Sequence, residues 1–359
     1  MGRVPTSIIA SASSTSSGLP VDWDLARRTA ARLVGSGPEV SRSEAVELVG
    51  RLRSDAAVAE GHVREVTGLG HGLPLLPADV VDRPAWSAAA LAGMAALTAD
   101  ARLPEIGRAA RAVTSRTAGV QIGGVVAYLG GRVLGQYDPF GGPDGEGRLL
   151  LVAPNVHAAQ QALDVSSKDF GLWVCLHEAT HRLQFTAVPW LRDYFAEQVG
   201  ALLSVDAADK VSLTLEKLPE LVRTLKESKG DSLAVVELLQ GPEQRLVLDK
   251  LLAMTTLLEG HADHVMDAVG PDVVPSVATI RDRFTVRRRG GGGVVDRVLR
   301  ALLGVEAKVK QYAVGAAFTD HVVLAAGMDG FNTIWESPET LPTRDELGNP
   351  GAWLARIHP

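Results

Sequence analysis

Residues 166–186 read SSKDFGLWVCLHEATHRLQFT, and the rest of the chain is best read outward from them. Ser166 with Asp169 offers an N-terminal cap and Pro189 stands just beyond the far end, so the spacing predicts one helix. Inside it lies His177-Glu178-Ala179-Thr180-His181. Histidines at i and i+4 are separated by ~400° of rotation and ~6 Å of rise, so both imidazoles leave one face and can meet one ion. Glu178 is rotated by ~100° from His177 and by ~60° from His181. Its carboxylate therefore falls beside the ion, where a general base must stand to take a proton from water. Trp173, Val174, Leu176, Leu183 and Phe185 make this a largely buried helix, in which a glutamate without a partner would be costly.

A catalytic zinc ion keeps three protein ligands and one open position, so a third ligand is required. The extension to H-E-x-x-H-x-x-G-x-x-H fails, because Gln184 and Ala187 stand where Gly and His are needed. The chain has a single cysteine, Cys175, on the opposite side of the helix from His177, so histidine and carboxylate must hold the metal. Four of the nine histidines lie in two segments, and the second, residues 257–264, reads LLEGHADH. Glu259 and Asp263 share a face there, which suits Glu259 as ligand and Asp263 as acceptor of an N–H from a ligating imidazole. His261, His264 and Asp263 are the rival ligands, and spacing alone leaves them open. His264 is also a candidate to polarise a substrate carbonyl. Gly260 inside a helix costs about 1 kcal/mol against Ala, which predicts that two backbones approach closely there.

His177 to His181 together with Glu259 and Asp263 resembles the gluzincin arrangement, in which a second helix carries Glu-x-x-x-Asp. The chain is more specifically similar to an actinobacterial zincin-like family of zinc-dependent metallopeptidases, associated by label with deazaflavin coenzyme biosynthesis. The resemblance runs from about residue 21 to the C-terminus, through residues 134–139 (LGQYDP), 177–185 (HEATHRLQF), 259–264 (EGHADH) and 327–332 (GMDGFN). It implies a zincin-like core and a zinc site; with a Zn2+ cofactor held by His177, His181 and Glu259 and Glu178 as catalytic base, the expected reaction is hydrolysis of a peptide or small amide, the alternatives being a non-catalytic zinc-stabilised helical scaffold and a hydrolase of a small anionic metabolite. His181 and Glu259 are 78 positions apart, far more than in gluzincins, which predicts inserted helices covering the cleft.

The remaining sequence predicts an α+β, mainly α protein with a small β-sheet and added helical subdomains. Residues 1–20 read as a disordered leader, 21–115 as a helical N-terminal subdomain, 116–270 as the region with the metal-binding helices and 271–359 as a C-terminal helical region. Helices are expected over 21–34, from the Ser41-x-x-Glu44 capping box to about 67, and over 86–97, 105–116, 190–205, 215–226, 243–269 and 296–326. Strands are expected over 120–129, where β-branched residues mix with glycine, and over 148–153 (RLLLVA), either an edge for an extended substrate or an ordinary sheet strand. The Gly/Pro-rich stretch 68–84 reads as loop, and a loop-rich tail is expected around Pro338, Pro342 and Pro350.

With 36 Lys+Arg against 42 Asp+Glu, no basic excess exists to neutralise phosphates, and no nucleic-acid partner is expected. The longest uncharged windows, 85–99 and 117–131, fall short of the ~18–20 residues of a bilayer span, and the Ser-rich start lacks an export signal, so a cytoplasmic protein without a membrane partner is expected. Arg281, Arg283 and Arg287 to Arg289 form a basic cluster that is either a solvated helix end or an anion site. Tyr312, near Lys308 and Gln311 on the last long helix, is a candidate oxyanion donor. The four glycines at 290–293 lack the following Lys-Ser/Thr of a phosphate-binding loop.

Overall fold

The computed structural model describes residues 15–104, 107–142, 145–204, 242–289 and 305–358, except for the side chains of 15–17, 102–104, 242, 285–289 and 305–312. Strand β1 (Thr15–Ser17) comes first, then α1 (Trp23–Leu33), capped by Asp22, whose carboxylate accepts from Leu25 N–H. The Ser41–Glu44 capping box opens α2 (Arg42–Thr67), and Gly68 closes it at φ 69°, a left-handed conformation that glycine adopts without steric cost. After β2 (Asp79–Val81), Asp82 caps α3 (Arg83–Leu97); β3 (Arg102–Pro104) and α4 (Arg108–Gly130) follow. β1 pairs antiparallel with β3, so the end of the expected leader is a strand.

The strand expected over 120–129 is instead part of α4. Gly119 and Gly123 explain the outcome: a Cβ on either would lie 2.6 Å from the Asp22 carbonyl oxygen or 2.5 Å from that of Ala26. One turn apart, these glycines let α1 seat its backbone against α4, and that packing outweighs their poor helix propensity. α4 also runs across position 115, the expected boundary between the helical N-terminal subdomain and the region with the metal-binding helices.

The sheet that positions the site has the order β2-β5-β4, with β4 (Gly135–Asp138) antiparallel and β2 parallel to β5 (Arg148–Val152). β5 is thus the central strand, so of the two readings of 148–153 the ordinary sheet strand holds, and β2 and β4 are the edges. Leu149 and Leu151 face a core shared with α2, α5 (Ala153–Leu163) and α6 (Ser167–Ala187), while Leu150 and Val152 face one shared with α1, α3 and α4. Burial on both faces accounts for the continuous apolar run. β2 and β4 were missed because three or four residues carry too little periodicity to read.

Ser166 accepts from Asp169 N–H at the start of α6, as expected. The Asp169 carboxylate accepts from Ser276 N (3.0 Å) and Oγ (2.6 Å), tying the helix start to a segment over a hundred residues further along the chain. α7 (Leu191–Leu203), α8 (Pro242–Ala268), α9 (Val277–Arg289) and α10 (Val305–Asn332) complete the helices around it. A third core joins α7, α8 and α10 to the C-terminal segment. That segment is not the expected loop: Pro350 begins a helix over Pro350–Ile357, where its missing N–H is harmless, and Trp353 is fully buried with its indole N–H on Thr340 O (2.9 Å). The helix expected at 215–226 and the glycines at 290–293 lie outside the described residues. Among the described residues no helix is long and apolar enough to cross a membrane.

Candidate metal centre

α6 is wedged between α2 and α8, with β4 alongside, and its burial forces its polar residues to find partners. His177 and His181 leave one face, as their spacing requires, with Nε2 atoms 3.1 Å apart. Glu259 reaches them from α8, its Oε2 at 3.4 Å from His177 Nε2 and 3.7 Å from His181 Nε2. That oxygen is buried and has no conventional hydrogen bond. Atoms bound at about 2.0–2.1 Å to one tetrahedral zinc ion stand about 3.3 Å apart, so both the donor set and its spacing fit the ion. Among the described residues this is the group of histidines and carboxylates whose ligand atoms converge.

The charges of the cluster answer one another. Burial opposes the charge on His181, yet Glu259 and Glu178 push its pKa up to about 9. Burial likewise opposes ionisation of Glu259, and the two imidazoles overcome it and hold the carboxyl well below its ordinary value. Glu178, 6% exposed, titrates above its usual range because burial outweighs the neighbouring imidazoles. β4 cradles its side chain: a Cβ at Gly135 would lie 2.5 Å from Glu178 Cγ, and Tyr137 donates its backbone N–H to the carboxylate. Only glycine at 135 leaves room for that carboxylate.

A cavity of about 640 Å3 opens beside the cluster. Gly135, Gln136 and Tyr137 of β4 form one side, and Trp173, Met266 and Phe284 contribute apolar surface. α7, from the insertion expected to cover the cleft, lines none of it.

A model of a family described as zincin-like metallopeptidase matches residues 21–354. The chain belongs to this zincin-like metallopeptidase family. A crystal structure from Chloroflexus aurantiacus, described as a candidate hydrolase with a novel fold, is 32% identical with a TM-score of 0.63, covering 94% of this chain and 98% of that one. No curated protein matches the chain. Family and neighbour together support a metal-dependent hydrolase.

Several residues singled out in the sequence lie apart from the three donors of this zincin-like site. His261 is fully buried against Phe331 and Trp335 (ring centroids 4.9 and 5.6 Å), and burial pushes its pKa down to about 3. His264 turns to Asp320 on α10, Nδ1 to Oδ1 2.6 Å, and does not line the cavity. Asp263 does line it, but pairs with Arg281 (Nη1 to Oδ1 3.4 Å) rather than with an imidazole. The imidazole support comes from Gln184 instead, whose Oε1 accepts from His181 Nδ1 at 2.9 Å.

Arg281 also bonds Asp267, and Arg283 donates to the Leu163 and Asp164 carbonyls at the end of α5. These two arginines are structural partners of acids and of a helix end rather than a free anion grip. Arg287 to Arg289 and Tyr312, with Lys308 and Gln311, have side chains outside the described residues. Gln184 and the β4 backbone were missed in the sequence. The available signal was an amide on the buried side of an apolar helix, which must be hydrogen-bonded.

Proposed function

We propose that the protein is a zinc-dependent hydrolase of peptide or related amide bonds, with His177, His181 and Glu259 holding the ion and Glu178 as general base. One observation carries the reading: three donors converge beside a buried carboxylate whose orientation is fixed by Gly135 and Tyr137. Zinc, when bound, supplies Lewis acidity toward the amide carbonyl and brings the pKa of water down toward ~7. Glu178 accepts a proton from the attacking water and delivers it to the leaving nitrogen. Burial raises the pKa of Glu178, which makes the carboxylate a stronger base toward the attacking water.

An extended substrate fits the edge of β4. Val152 N–H donates to Leu134 O, and antiparallel alternation then directs the Gly135 and Tyr137 backbone groups away from β5. Tyr137 N–H is taken by Glu178, while a peptide laid beside Gly135 would have its carbonyl next to the three donors. A peptide is favoured over a small anion because the Arg281 guanidinium in the cavity wall is neutralised by Asp263 and Asp267.

The test is Glu178→Gln assayed beside the wild type on a quenched-fluorescent peptide library, with zinc content measured on both. Retained zinc with a rate lower by about 10²–10⁴-fold is expected. Equal rates in the two proteins would remove Glu178 from the role of base.

A further inference from the structure

Gln184 is completely buried, and its side-chain amide touches three groups at once. Its Nε2 lies 3.0 Å from Leu258 O and 3.0 Å from His261 Nδ1, while its Oε1 lies 2.9 Å from His181 Nδ1. A backbone carbonyl can only accept, so the amide must turn its NH2 toward Leu258. The second N–H then goes to His261 Nδ1, which has to be the bare nitrogen of that ring. The amide oxygen, at the opposite end, can only accept, so His181 must carry its proton on Nδ1. With Nδ1 protonated, a neutral His181 presents the Nε2 lone pair to Glu259 and His177. One carbonyl at position 258 thereby dictates the tautomers of two histidines.

We infer that Gln184 is a positioning residue for the metal: it fixes His181 as the Nδ1–H tautomer and braces the two ligand-bearing helices through Leu258, the neighbour of Glu259. The inference rests on the reading of His177, His181 and Glu259 as ligands. Gln184 does not touch the ion; it acts through His181 and through the backbone beside Glu259. Partners of this kind typically change metal affinity by about 10–100-fold.

Two substitutions separate this role from packing. Gln184→Met keeps the volume and removes every hydrogen bond, whereas Gln184→Glu keeps an acceptor for His181 Nδ1–H and loses the donors to Leu258 and His261. Zinc affinity of the full chain is measured by competition with a chelating dye, and the His181 tautomer by 15N–1H correlation on metal-free, histidine-labelled protein at alkaline pH, where the ring is neutral. The wild type and Gln184→Glu are expected to show Nδ1–H at His181. Gln184→Met is expected to lose that single tautomer and to bind zinc about 10–100-fold more weakly, with Gln184→Glu within about tenfold of wild type.

Wild-type affinity in Gln184→Met would overturn the inference, as would an unchanged single Nδ1–H tautomer at His181 in that variant. A wild type that takes up no zinc would overturn the ligand reading itself and the inference with it. A wild type that binds zinc while both variants match it would overturn the inference alone.

Discussion

His181 holds a proton that the metal has to displace. Its pKa in the folded chain is about 9, against an ordinary 6.5, because Glu259 and Glu178 outweigh the cost of its burial. Raised in this way, the group stabilises the metal-free fold fully below about 6.5, and its contribution is lost as pH rises through about 9. Zinc binding runs the opposite way: its apparent affinity should rise between these limits by up to about tenfold per pH unit, then level off. Chelator competition at several pH values checks this, and a flat profile would show that His181 carries no such proton. His177, Glu178 and His181 were legible in the sequence because helical geometry turns a spacing into a shared face. Glu259 was legible as the favoured partner among four. Gln184 was not, because its role depends on Leu258 and His261, which reach it from another helix.

Between elements, the decisive contact near the site is the crossing of α8 and α10. A Cβ on Gly260 would sit 2.0 Å from the Gly315 carbonyl carbon, and one on Gly315 would sit 2.1 Å from Thr256 O. The close approach expected from Gly260 is therefore present, one residue from Glu259. Gly260→Ala would add about 1 kcal/mol of helix propensity, yet forced overpacking costs about 1–3 kcal/mol, and the crossing cannot absorb a methyl group. Net destabilisation is expected in urea unfolding of the metal-free protein, together with weaker zinc binding as Glu259 is displaced. A more stable variant would contradict the crossing. The glycines of α4 serve the same purpose against α1, yet there the mixture with β-branched residues suggested a strand. Glycine in a helix is legible as a close contact only when the helix itself is already secure, as it was around Glu259.

Across the whole molecule, the site depends on three cores meeting around one short sheet and one buried helix. Glu60 ties α2 to that buried helix, accepting from Arg64 (2.6 Å) and from Arg182 of α6 (2.8 Å), with Glu60 and Arg182 only 2% and 3% exposed. Arg182 continues to Leu76 O (2.5 Å), fastening the loop before β2 to the residue after His181. Glu60→Ala would leave that guanidinium buried without its counter-ion, and a loss of about 3–5 kcal/mol in urea unfolding is expected. A loss below about 1 kcal/mol would show that the network is not needed. The mainly helical α+β class was legible from helical spacing, caps and breakers. The sheet was only partly so, because β2 and β4 gain their structure from pairing with β5 rather than from their own few residues.

The central claim is that His177, His181 and Glu259 together hold one zinc ion. Elemental analysis of the purified wild type beside Glu259→Ala tests it most directly. About one zinc per wild-type chain is expected, with a marked loss in the variant. A wild type that neither contains nor takes up zinc, or a Glu259→Ala protein that retains it fully, would contradict the claim.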